Sequence, residues 1–251
     1  MTDTPAELLR TEVRRDGSRP LLTFYDDATG ERVELSTTTF DNWVSKTAGL
    51  LTDGLDVEPG NRVSLLLPAH WQALAWACAC WTVGACVVLD DVDDVRVTVA
   101  GPDALGGLDT AGRPGEVVAL ALRPLGGRFT TPLPGGVLDY AVEVPGYPDR
   151  FVPIVPPAPT ELGLDHPGTT QTLAGLVERA RQRAEQLGTG AGGRLLAATD
   201  NLGVALLDAL LVPLAVGGSA VLVRNEDPNG RTARVAAERV TVTPAPPGSL
   251  G

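Results

Sequence analysis

The sequence predicts an α/β fold of two similar subdomains, each with a largely parallel sheet flanked by helices. Three observations predict it. One pattern of apolar and turn residues occurs twice in the 251-residue chain. Its helical parts carry apolar or small residues at steps of four, four and three. Its later strands are continuous apolar runs, as strands buried on both faces of a parallel sheet are.

The first copy reads "FYDDATGERVELSTTTFDNWVSKTAGLLTDGLDVEPGNRVSLLL" and the second "LGLDHPGTTQTLAGLVERARQRAEQLGTGAGGRLLAA". Each opens with two short strands around a turn at Gly30 or Gly168. Ser36 and Thr172 follow, hydroxyls placed where a helix N-cap belongs. Phe40, Val44, Ala48 and Leu51 then match Leu176, Ala180, Ala184 and Leu187, one face of a helix in each copy. Arg62 and Arg194 stand at the start of the next strand. Helices over 70–83 and 202–216 come next, ended by Gly84 and by Gly217-Gly218. "ACVVL" and "SAVLV" are the strands after them. "VRVTVAGPDALGG" is echoed by "ERVTVTPAPPGSLG" as a further strand. This alternation is the doubly wound pattern.

The expected organisation is a first repeat over 1–107, a connection over 108–160 and a second repeat over 161–251. Within the connection, "GEVVALALRPL" offers one more buried strand. Pro134, Pro145, Pro148, Pro153, Pro156, Pro157 and Pro159 make the rest irregular, with polyproline II character.

Composition narrows the function classes. A net charge of −11 argues against nucleic acid and against an anionic membrane surface. Lys46 is the sole lysine. Cys78, Cys80 and Cys86 lack metal-ligand spacing and an even count, and read as buried free thiols in a reducing cytoplasm. The polar N-terminus is no signal peptide. Residues 71–89 carry no charge over a length that would span a bilayer. Their alignment with 202–223, which holds Asp208 and Pro213, makes both core segments instead.

Candidate sites are few. Gly168, Thr169 and Thr170 have the residue types of a phosphate cradle, and equally those of a hairpin turn matching Gly30. His70 and Trp71 follow a strand's C-terminal end, where ligands of open α/β sheets bind; the other reading of His70 is a helix cap. Asp200 and Asn201 lie past the equivalent strand end. His166 belongs to the hairpin turn. Asp90, Asp91, Asp93 and Asp94 lack the glycine and final glutamate of a calcium loop and read as a solvated turn. The mixed charges of Glu178, Arg179, Arg181, Arg183 and Glu185 read as a helix surface. No histidine or thiol stands beside a hydroxyl as a catalytic set, so no catalytic residue and no metal ligand is assigned.

The run from "S-x-x-x-F" through "PGNRV-x-LLLP" to "VGACVVL" resembles the N-terminal part of the adenylate-forming superfamily: acyl-CoA synthetases, peptide-synthetase adenylation domains and luciferases. There the strand reads approximately "GDRVALLLPN", with "GAVVVPL" after the helix. "LLVPLAVGGSAVLV" is similar to the superfamily's "PLLAGATVVLV" in its second subdomain. A group of short actinobacterial proteins related to these synthetases resembles the chain more closely still. The resemblance implies the fold of the superfamily's N-terminal domain.

Departures from the family shape the functional expectation. Active members carry a loop similar to "TSGTTGxPKG" around the ATP phosphates; here only Gly168, Thr169 and Thr170 match, and no lysine follows. "TDNLG" stands where the family has an aromatic-His segment lining its acyl pocket. The adenine and ribose contacts, the magnesium-ligating glutamate and the lid domain with its lysine come later in the family than Gly251. The expectation is therefore a cytoplasmic binding or partner module lacking adenylation. It requires no cofactor, retains at most residual ATP, AMP or acyl-group binding, and acts with a protein partner or as a homo-oligomer. The alternative is an AMP-dependent ligase forming acyl-adenylates, alone or with a partner chain.

Overall fold

The computed structural model describes residues 4–166 and 168–244. Helix α1 (Pro5–Asp16) starts on Thr4, whose hydroxyl accepts from the Glu7 amide, with Pro5 in the first turn where no amide partner is needed. Strands β1 (Pro20–Asp26) and β2 (Glu31–Ser36) form a hairpin closed at Gly30, whose φ of 76° suits glycine. Ser36 then caps α2 (Thr37–Gly49) by accepting from the Thr39 amide at 3.0 Å, and the helix runs into a π-helical turn over Leu50–Gly54. Phe40, Val44, Ala48 and Leu51 are all buried, as their spacing requires.

Strand β3 (Arg62–Leu66) leads to α3 (Trp71–Val83), every residue of which is buried, and Gly84 ends that helix in the left-handed region. Strands β4 (Cys86–Val88) and β5 (Val97–Ala100), helix α4 (Pro102–Leu105) and strand β6 (Glu116–Ala119) follow. The proline-rich connection is less irregular than its composition suggests. It contains strand β7 (Val137–Asp139) and the helical turn α5 (Tyr140–Glu143). Burial of Tyr140, whose hydroxyl meets Thr47 Oγ1 at 2.6 Å, explains the local order, and Asp139 caps the turn.

The second copy repeats the plan: hairpin β8 (Leu162–His166) and β9 (Thr169–Thr172), helix α6 (Leu173–Gln186) capped by Thr172, and strand β10 (Arg194–Ala198). The expected 202–216 helix is divided into α7 (Leu202–Ala205), a π-helical stretch Leu206–Leu211, and α8 (Val212–Val216). The widened turns precede Pro213, whose ring obstructs a regular turn and which has no amide to donate. Strand β11 (Ser219–Arg224) and helix α9 (Arg231–Ala237) complete the described elements.

Each hairpin lies in the sheet of the other copy. The four-stranded sheet has the order β10-β11-β1-β2, and the seven-stranded sheet β7-β6-β5-β3-β4-β8-β9. Strand β1 runs parallel to β11, pairing Leu22 with Ala220 through Asp26 with Arg224. Strand β8 runs parallel to β4, pairing Val87 with Leu164. The two arginines at the strand starts fasten these exchanged hairpins. Arg62 reaches across β4 to Asp165 Oδ2 at 2.8 Å, and Arg194 reaches across β11 to Thr23 Oγ1 at 2.9 Å.

Helices fill the space between the sheets. Helix α2 packs on its own hairpin in one sheet and on α3, which packs on β3 and β4 in the other; α1 touches α2, α3, α6 and α8. One continuous core therefore joins Leu22 and Phe24 of the smaller sheet to Val63, Leu65, Val97 and Val99 of the larger. The far face of the smaller sheet carries a separate cluster of Leu196, Val221 and Val223 under Val235 and Val240.

The copies differ at their third parallel strand. Arg96 donates its amide to the Arg62 carbonyl, as Thr241 does to Arg194, which places Pro244 where β5 has Val99. Proline has no ladder donor, and pairing here is a single bridge between Leu195 and Val242. The rest of this expected strand lies outside the described residues.

The Trp81 indole donates to the buried Gly163 carbonyl at 2.7 Å and so ties α3 to the exchanged β8. Trp81→Phe is expected to lower unfolding free energy by about 1–3 kcal/mol, the penalty of an unpaired buried carbonyl, measured by urea denaturation.

Candidate functional site

The carboxyl ends of β3, β10, β1 and β11 meet at one junction between the two copies. Helices α3 and α7 start there, capped by His70 and Asn201. His70 Nδ1 accepts from the Gln72 amide at 3.2 Å, and Asn201 Oδ1 accepts from the Val204 amide at 3.0 Å. Asp200 bridges the copies: its carbonyl accepts from the Ala69 amide at 3.1 Å, and its carboxylate from the Asn225 amide at 2.8 Å. The Asn225 side chain donates to Asp26 at 2.9 Å, which also faces Arg224 at 3.7 Å.

His70 is wholly enclosed, with the Phe24 ring edge-on to it at 4.6 Å. Because Nδ1 accepts the capping bond, a neutral imidazole carries its proton on Nε2. That nitrogen faces Glu31 Oε2 at 3.8 Å, beyond hydrogen-bond range. Neither Nε2 nor Glu31 Oε1 has a hydrogen-bond partner among the described residues. Burial pushes the His70 pKa below the ordinary histidine value, outweighing the opposite influence of Glu31. Trp71 points into the core against Trp43, ring centroids 5.2 Å apart, and offers no exposed face for stacking.

Gly168, Thr169 and Thr170 lie at the other hairpin. Gly168 has φ of 80°, and Thr169 and Thr170 pair with His166 and Asp165 in the antiparallel ladder. A phosphate cradle needs successive amides converging on one point; consecutive strand residues direct theirs to opposite sides. The charge beside the turn is negative: Asp165 holds Arg62 through one oxygen, and Thr170 Oγ1 lies 3.4 Å from the other.

A broad open groove of about 1280 Å³ runs between α6 and the 202–211 helical stretch. Gln171, next to Thr170, and Asn201 both line it. It thus approaches two of the three candidate groups, while His70 and Trp71 stay inside the packing. Its wall includes the Arg183–Asp208 pair, in which two guanidinium nitrogens each meet a carboxylate oxygen at 2.9 Å. The carboxylate raises the Arg183 pKa further. This pairing gives the charge inside the apolar 202–223 run its partner. No helix among the described residues is long and apolar enough to cross a membrane.

Other candidate groups have structural partners. Asp91 pairs with Arg113 and Asp94 with Arg62. Burial raises all three thiols, Cys86 to about 11, so none is a ready nucleophile. Glu31 and Asp26 are participants that sequence reasoning missed. Both flank an apparently exposed turn, and only the arrival of α3 and β11 buries them. The charge of Asp208 in an apolar run was the available signal for its pairing.

No protein-family model matches the chain. It is similar to a TIGR03089 family protein of Mycobacterium tuberculosis (strain ATCC 25618 / H37Rv), 39% identical over 245 residues, which span 96% of this chain and 97% of that protein. Among solved structures, a Brucella canis acyl-CoA synthetase superposes with a TM-score of 0.78 at 17% identity, covering 96% of this chain and 46% of the other. A Mycobacterium tuberculosis fatty acyl CoA synthetase gives 0.75 at 16% identity, covering 95% and 48%. The N-terminal domain of FACL13 from Mycobacterium tuberculosis gives 0.74 at 16%, covering 94% and 61%. The chain spans about half the length of the two synthetases. The architecture is that of an acyl-CoA synthetase N-terminal domain.

Folding lowers the His70 pKa, so as pH falls through the ordinary histidine value of 6.5 the unfolded chain takes up a proton more readily than the folded chain. Its contribution to stability is complete above that pH and is lost as pH falls below it. His70→Asn keeps a capping acceptor without the titration. The variant is expected to lose less stability than the parent between pH 7 and pH 5, measured by urea midpoints.

Proposed function

Because the chain belongs to the TIGR03089 family and shares its architecture with acyl-CoA synthetases, we propose that it is a binding or partner module without acyl-adenylate chemistry of its own. One observation carries this reading. Thr169 and Thr170 are paired in the β8–β9 ladder, Gly168 forms the turn just before them, and the Asp165 carboxylate lies beside Thr170. Adenylate formation places a triphosphate against convergent donors and positive charge. This turn lacks convergent donors, and a phosphate here would meet the Asp165 carboxylate, which already holds the nearby Arg62 guanidinium.

Other features support the same reading. The chain's one lysine, Lys46, is committed elsewhere, its Nζ 2.7 Å from the Tyr147 carbonyl and 3.0 Å from Asp149. His70 is spent on a helix cap and Asp200 on backbone amides. Lys46 and His70 serve local order and Asp200 joins the two copies. With function residing in sites rather than in folds, the synthetase architecture serves here as a scaffold. Its open groove between α6 and the 202–211 stretch remains available for weak binding of an acyl or nucleotide group.

The purified chain is expected to give no ATP–pyrophosphate exchange with a panel of carboxylic acids. Reproducible exchange would overturn the reading in favour of an AMP-dependent ligase. Thermal unfolding with millimolar ATP, AMP or CoA is expected to show at most a small shift. A ligand at 100 times its Kd would stabilise by about 2.7 kcal/mol, so a large shift would establish a nucleotide site.

A further inference from the structure

A helix cap needs an atom that accepts a hydrogen bond, and an atom that gains a proton stops accepting. Thr4, Ser36, Asp139, Thr172, Asn201 and Asp227 cap helical turns through oxygen atoms. Among the described residues His70 alone caps through a ring nitrogen. Its Nδ1 must keep a lone pair to accept from the Gln72 amide at 3.2 Å. A proton on that nitrogen would set two N–H groups against each other and leave the amide without an acceptor.

The other ring nitrogen has the opposite preference. Nε2 stands 3.8 Å from Glu31 Oε2, beyond hydrogen-bond range, and Glu31 Oε1 has no hydrogen-bond partner among the described residues. A positive ring is drawn towards that carboxylate. The charged groups facing the ring are Glu31 on β2, Asp26 on β1 and Arg224 on β11. Asp26 is already engaged by the Asn225 side chain at 2.9 Å and the Ala28 amide at 3.0 Å, and Arg224 repels a positive ring. The Asp200 carboxylate is taken by the Asn225 amide. The neutral ring therefore belongs with the Gln72 amide, and the charged ring with Glu31.

Position gives this choice its reach. Ala69, the residue before the cap, donates its amide to the Asp200 carbonyl of the second copy at 3.1 Å. Phe24 and Glu31, which enclose the ring, belong to the hairpin whose β1 pairs with β11. The ring is 1% exposed, so it cannot hold a charge in place at the cost it would have in water.

We propose that His70 is a pH-operated latch: its neutral ring closes the junction between the two copies, and uptake of a proton releases the first turn of α3 together with the adjacent Ala69–Asp200 bond. The latch uses none of the residues lining the groove between α6 and the 202–211 stretch, so it stands apart from the binding-module reading. Its size follows from linkage. A released ring in water takes its proton near the ordinary value of 6.5, and burial keeps the closed ring below it. Between pH 7 and pH 5.5 the open form therefore gains on the closed form by up to about eightfold.

Amide hydrogen exchange of the full chain, followed by NMR at several low urea concentrations, tests the latch. After correction for intrinsic exchange, the opening equilibrium at the Ala69 and Gln72 amides is expected to rise several-fold from pH 7 to pH 5.5, with about eightfold as its ceiling. That opening should depend little on urea, while the Val99 and Leu222 amides keep the steep dependence of global unfolding. His70→Asn retains a capping acceptor without the proton and should abolish the pH-dependent rise. Exchange of Ala69 and Gln72 only with the global urea dependence would overturn the latch, a result read on the parent chain alone. So would an equal rise in His70→Asn. Ring nitrogen chemical shifts that show protonation while both amides stay protected would overturn it as well.

Discussion

Arg62 and Arg194 each hold a hairpin that belongs, by sequence, to the other copy of the repeat. The rest of the structure depends on that exchange. A hairpin placed in the opposite sheet forces the helix after it to lie between the sheets, because the helix must return the chain to its own parallel strands. Helices α2 and α6 do this from opposite directions, and α1 fills the space between them. The apolar faces of both copies then merge into one core. Four strand ends also converge on a single junction, where Asp200 joins backbone of both copies and His70 and Asn201 start equivalent helices.

The same geometry accounts for the chemistry at the two ends of the repeat. At the junction, polar groups face neighbouring backbone and each other, and His70 is excluded from water. At the second hairpin, a ladder occupies the backbone that a phosphate-binding loop would leave free to converge. Asp165 serves the exchange by pairing with Arg62, and that role places a negative charge beside the Gly-Thr-Thr turn. One ion pair both fastens the exchanged hairpin and sets a carboxylate beside the Gly-Thr-Thr turn.

Much of this was legible in the sequence. The caps at Ser36 and Thr172, the stops at Gly84 and Gly217, and the buried faces through Phe40 and Leu176 follow from local rules and are where those rules put them. Strand partnership was not legible. Periodicity states which face of β11 is buried, and both are; it says nothing of whether β1 or β8 lies beside it. The burial of Glu31 and Asp26 was hidden for the same reason, since it depends on elements distant in sequence. In the connection, proline content concealed β7 and α5, because the burial of Tyr140 outweighs composition there. The candidate site was legible as residue types around Gly168 and at the strand ends. What those residues touch required the tertiary arrangement.

The four tryptophans, Trp43, Trp71, Trp76 and Trp81, all lie in the first copy, whereas helix and strand are spread over both. Urea unfolding followed by tryptophan fluorescence and by far-ultraviolet circular dichroism therefore tests the exchange directly. If each copy completes the other's sheet, neither can unfold alone, and the two probes must trace one superimposable transition. Separate midpoints, with fluorescence changing while substantial secondary structure persists, would contradict the account by showing that the copies are independent units.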